Sequence, residues 1–185
     1  MKKLGFLLCI LLVPFQLLAQ EKMEAEKFQL SPEGFENYVV REYPGKTDSE
    51  LFMAVKRWAE QAIANSKEAM KKHHTNQYLQ YRVFVPQGIV LENDDEVYKW
   101  DVLFDVSFTF KDQHIRYDVK LMEVSSPDAP TFALNGSETQ WSFFDLEGNP
   151  RKVTAEARKQ VNNMANDFIR GVSSYVNMNA AEDQK

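Results

Sequence analysis

Between Val97 and Val124 hydrophobic and polar residues alternate over two consecutive runs. Trp100, Val102, Phe104, Val106, Phe108 and Phe110 hold the even positions, with Asp101, Asp105, Ser107 and Thr109 between them. This is the period of a strand buried on one face. After the polar break Lys111-Asp112-Gln113-His114, Ile115, Tyr117, Val119 and Leu121 are separated by Arg116, Asp118 and Lys120. Folding at the break predicts a hairpin in which Phe110 faces Ile115, Phe108 faces Tyr117, Val106 faces Val119 and Phe104 faces Leu121. Its wet side sets Thr109 against Arg116, Ser107 against Asp118, and Asp105 against Lys120 as a cross-strand ion pair. On the same side Leu103 and Met122 come out directly opposed.

The other elements follow from the same kind of reading. Residues 21–34 are charged and poor in apolar side chains, and Ser31-Pro32-Glu33-Gly34 breaks them, which describes a mobile leader. Tyr38-Val39-Val40 forms a short strand that ends at Tyr43-Pro44-Gly45. Thr47 and Glu50 have capping-box spacing, and Leu51, Val55, Trp58 and Ala62 recur at helical spacing, predicting a helix from Asp48 to Asn65. Ser66 to Thr75 fits a helix extension or an edge strand equally well. Leu79, Tyr81, Val83 and Val85 alternate with Gln80 and Arg82 in a strand that stops at Pro86-Gln87-Gly88, and an acidic loop, Glu92 to Glu96, feeds the hairpin.

Residues 125–130 read as loop, and Asn135-Gly136 as a turn pair whose flanks specify a hairpin weakly. Trp141, Phe143 and Phe144 are expected to fold back onto the core. A second helix, Thr154 to about Val176, keeps Ala157, Val161, Met164, Ala165, Phe168, Val172 and Tyr175 on one face. Gly171 inside it costs roughly 1 kcal/mol against Ala and marks close packing or an early fray. Residues 177–185 read as a disordered tail. The sum is one α+β domain over 35–176, in the order β-α-β-β-β-β-α. It is a curved antiparallel sheet of about five strands with two helices packed on one face. The opposite face is left to solvent or to a partner.

The first residues bear on compartment. Met1-Lys2-Lys3, the apolar run Leu4 to Leu18 and Ala19-Gln20 describe a secretory signal peptide over residues 1–20. The run is too short to span a bilayer comfortably, and no transmembrane segment is expected after cleavage. The single cysteine, Cys9, leaves with the signal, so disulfides, thiol nucleophiles and thiolate metal sites leave with it. About 165 residues then remain, suited to one domain. The net charge of −5, two units more acidic once Lys2 and Lys3 are removed, repels polyanions, and nucleic acid is not an expected partner.

The element order, the helix opening Lys46-Thr47-Asp48-Ser49-Glu50-Leu51 with Trp58, and the hairpin Lys111-Asp112-Gln113-His114-Ile115-Arg116-Tyr117 resemble an exported bacterial family, domain-of-unknown-function family 4468. The resemblance covers about Tyr38 to Val124 and, more loosely, the second helix. It implies a TBP-like fold, named for the TATA-binding protein, and a location in the envelope of a Gram-negative bacterium. Family members tend to carry Gly in the hairpin turn where this chain has Gln113. No catalytic residue is implied.

Candidate chemistry is sparse. His73 and His74 are adjacent, so they point apart, and no third ligand stands at metal-binding spacing. The loop Glu92 to Glu96 lacks the Gly and terminal Glu of an EF-hand. No nucleophile, base and orienting group occur together, and no glycine-rich phosphate loop is present. No cofactor is expected. The wet face remains, with Leu103, Asp105, Arg116, Asp118, Lys120 and Met122 as candidate binding residues. The first expectation is a non-enzymatic envelope module that binds a protein or small ligand through this face or an edge strand, with self-association as a variant. The alternative is a hydrolase working through Asp101, Asp105 and Asp118 on that face.

Overall fold

The computed structural model of the protein describes residues 24–136 and 139–182; the expected signal peptide lies outside them. Its elements are β1 (Glu24–Ala25), β2 (Tyr38–Glu42), α1 (Asp48–Ala62), a single turn α2 (Ser66–Ala69), β3 (Met70–His74), β4 (Tyr78–Asn93), β5 (Glu96–Lys111), β6 (His114–Ser125) and α3 (Ala155–Glu182). They form one sheet in the order β1-β2-β6-β5-β4-β3. β2 to β6 pair antiparallel, and β1 adds two residues parallel to β2. The α+β class and the five antiparallel strands agree with the pattern. Residues 66–75 are both of the alternatives left open, a helical turn and then an edge strand.

The central hairpin has the register its alternation predicts, with Phe110 opposite Ile115, Phe108 opposite Tyr117, Val106 opposite Val119 and Phe104 opposite Leu121. All of these but Leu121 are buried. The turn residues Asp112 and Gln113 have φ of 52° and 67°, the two left-handed positions of a type I′ turn. A glutamine there is strained, but Gln113 offsets this by docking the β2–α1 connection. Its carbonyl accepts from Tyr43 N at 2.8 Å, and its side-chain Oε1 accepts from Gly45 N. A glycine can make only the first of these bonds. Asp94 and Asp95, at φ 51° and 67°, repeat the turn between β4 and β5, so the acidic loop is a tight hairpin tip.

Three expectations are corrected. β4 does not stop at Pro86-Gln87-Gly88. Val85 pairs with Val102 and Ile89 with Trp100, the intervening residues bulge out, and Asp101 Oδ1 accepts from Gln87 N at 2.8 Å so that pairing resumes. Nor is the leader mobile from Glu24 onward. Its few apolar residues find the core, Phe28, Leu30 and Phe35 being buried. Asn166 of α3 also clasps Phe28 through both main-chain groups, at 2.9 and 3.0 Å, and Asn162 Oδ1 accepts from Leu30 N at 2.8 Å. Finally, α3 continues to Glu182, well into the expected tail.

Both long helices cover one face of the sheet. α1 opens as its capping box requires: Thr47 Oγ1 accepts from Glu50 N at 3.3 Å, and the Glu50 carboxylate accepts from Thr47 N at 2.7 Å. That bond holds the Glu50 carboxyl below its usual range. Leu51, Val55, Trp58 and Ala59 are buried. α3 crosses α1 where Gly171 meets the Trp58 ring. Residues 126–136 and 139–154 close the distal end with no regular strand among them. Trp141, Phe143 and Phe144 are buried there as expected, Phe132 is buried with them, and Trp100 Nε1 donates to Pro130 O at 2.8 Å.

Candidate functional site: the open sheet face

The side chains pointing away from the helices come from β2, β6, β5, β4 and β3, and hydrogen bonds and ring contacts tie them together. Arg116 lies over the Tyr38 ring, its guanidinium carbon 3.9 Å from the centroid, and binds Asp118 through Nε at 2.9 Å and Nη2 at 3.2 Å. Tyr78 donates to Ser107 Oγ at 3.0 Å. Arg82 grips both oxygens of Asp105, at 2.8 and 2.9 Å. The fork geometry of two parallel N–H···O bonds favours arginine for such a grip. Both arginines are held more firmly protonated, chiefly by hydrogen bonds to their aspartates.

This changes two sequence readings. Lys120 is opposite Asp105 in register, yet the ion pair forms with Arg82, which faces Asp105 from the other side. Lys120 is exposed and makes no ion pair among the described residues. Leu103 and Met122 are not opposed either. The β5–β6 register shifts between Phe104 and Leu103: Phe104 pairs with Leu121 but Leu103 with Glu123, leaving Met122 as the extra residue of a bulge. The residue that does sit beside Leu103 is Phe84 of β4. Phe84 is 57 % exposed, which is unusual for a phenylalanine in mid-strand.

Of the candidate residues, Asp105, Arg116 and Asp118 belong to the fixed polar network, and Leu103 with Phe84 forms an apolar strip beside it. Met122, 39 % exposed, lies at the β6 margin. Pattern reading passed over Tyr38, Arg82 and Phe84. The signal for Phe84 was present, because an aromatic between Val83 and Val85 breaks an otherwise strict alternation. Among the described residues no group of three or more His, Cys, Asp or Glu side chains could hold a metal ion. His73 and His74 are exposed on β3. Away from this face, a cleft of about 230 Å³ between α1 and α3 is lined by Met53, Ala54, Arg57 and Tyr175. That is below the roughly 300–1,000 Å³ usual for a small-molecule site.

The chain is similar to the crystal structure of a DUF4468 family protein from Bacteroides ovatus, with a TM-score of 0.57 at 10% sequence identity over 75% of this chain and 84% of that one. It also matches a TBP-like protein from Parabacteroides distasonis, with a TM-score of 0.47 at 15% identity over 78% and 90% of the two chains. No family profile matches the sequence, and no curated protein matches it. The first likeness shows a shared fold, an α+β one. Among the described residues no helix is long and apolar enough to cross a membrane.

Proposed function

We propose that this protein is a non-enzymatic interaction module of the bacterial cell envelope, and that it binds a partner through the open sheet face. The observation that carries the reading is the pairing of Phe84 and Leu103 on a face no helix covers, beside arginines and aspartates already fixed by one another. Such a surface meets a partner with little side-chain ordering to be paid on binding. An exposed aromatic beside an aliphatic residue and a fixed Arg82–Asp105 pair offers an apolar anchor with a polar rim.

The carboxylates support binding over hydrolysis. Asp105 and Asp118 are each held by an arginine, and Asp101 by the Gln87 amide, so their oxygens are engaged in fixing the face itself. Export to the envelope rests on the signal-like first residues and is part of the proposal. The test is recovery of partners from native envelope extract with the mature protein, Phe84→Asp and Leu103→Asp. Loss of the same partner with both variants supports the reading, and unchanged recovery removes this face from consideration.

A further inference from the structure

The last strand on the β4 side of the sheet carries a run of basic residues. β3 is the outermost strand there, and among the described residues no strand lies beyond it. Lys71, Lys72, His73 and His74 are all exposed, and Lys67 of α2 precedes them. None of these lysines pairs with a carboxylate among the described residues. Lys71 Nζ donates to the Glu68 carbonyl at 3.1 Å, and Lys72 Nζ lies 5.7 Å from the Tyr78 ring centroid. The arginines of the open face, by contrast, have their charges met. On a chain of net charge −5, β3 is therefore a local positive strip along an outer edge of the sheet.

Such an edge selects what can add to it. A second copy of β3 would bring a second set of exposed lysines to the same edge, so the charges oppose self-pairing. A strand of opposite charge is favoured by the same residues, the main chain supplying hydrogen bonds and the side chains selectivity. We infer that β3 is a docking edge for an acidic, extended peptide segment of a partner protein, which adds as a further strand with its carboxylates over Lys71 and Lys72. The register shift between Met70 and Lys72 leaves Lys72–His74 as the regular stretch, so the complex is weak and salt-sensitive. This edge is separate from the Phe84 strip, and either can fail without the other.

The test uses a fluorescent peptide of alternating Glu and Val, with a Lys and Val counterpart and an N-methylated Glu and Val version as controls. Anisotropy titration of the mature protein at low salt should show saturable binding of the first peptide alone. The affinity should fall at least about tenfold for Lys71→Glu/Lys72→Glu and for the N-methylated peptide. Amide exchange should slow in β3 on binding. Equal binding of the lysine or N-methylated peptide to the wild-type protein would overturn the inference, as would an unaltered affinity in the charge-reversed variant. The peptide controls need no variant, so the outcome does not depend on the mutant folding.

Discussion

Replacing Gly171 by alanine sets two effects of opposite sign against each other, and the structure decides between them. In a helix interior the change gains about 1 kcal/mol from propensity. At this position, however, the new Cβ would lie 2.8 Å from Trp58 Nε1 and 3.2 Å from two further ring atoms. The ring cannot retreat, because it is buried and backed edge-to-face by Phe108 at 6.0 Å. Overpacking of a rigid neighbour costs about 1–3 kcal/mol. We therefore expect Gly171→Ala to lower stability by up to about 2 kcal/mol net. In a Trp58→Phe background, itself less stable, the smaller ring leaves room and the same substitution should be neutral or stabilising by up to about 1 kcal/mol. Urea denaturation followed by far-UV circular dichroism on all four proteins gives the coupling, expected at about 1–3 kcal/mol. A raised midpoint for Gly171→Ala in the wild-type background, or additive effects, would refute the close helix crossing.

Four further outcomes follow from the packing. Phe28→Ala should cost about 3 kcal/mol because the leader is part of the core, and Asn166→Ala, which frees the Phe28 main chain, should speed proteolytic removal of residues before Ser31; a leader cleaved equally fast in both proteins would contradict the clasp. Burial pushes the Tyr81 hydroxyl up to about 12 and Tyr117 well above its ordinary value, so the unfolded chain loses these protons first and stability falls as pH rises through and above about 10. Tyr117→Phe should flatten that alkaline loss in urea midpoints measured from neutral to alkaline pH, and a profile unchanged by it would count against the burial. Thr47→Ala should cost about 1 kcal/mol by removing the helix cap, read as a lower urea midpoint.

The hairpin was legible because every rung repeats the same constraint: a slip of one residue would have opposed apolar to charged side chains along the whole of β5 and β6. The helix start at Thr47 was equally local. What pattern could not show was made by contacts distant in sequence. The Leu103–Met122 pairing failed because a bulge at Met122 costs only one extra residue and leaves no mark in the alternation. Asp105 chose Arg82 over Lys120 because two strands compete for it, and beforehand only the register between β5 and β6 could be read, while that of the strand carrying Arg82 could not. The leader looked mobile because Phe28 and Leu30 are few, and the asparagines that hold them lie more than a hundred residues away. Phe84 was readable as an exception and was passed over as one more strand apolar.

A sheet covered behind and bare in front, with the bare side meeting the partner, is tested most directly by hydroxyl-radical footprinting of the mature protein alone and in native envelope extract. Alone, Phe84 and Met122 should be modified while Phe104, Phe108 and Trp58 are spared. In extract, Phe84 should become protected while Met53 and Met178 on the helix side stay reactive. Equal protection of both sides, or a Phe84 as reactive in extract as alone, would contradict it.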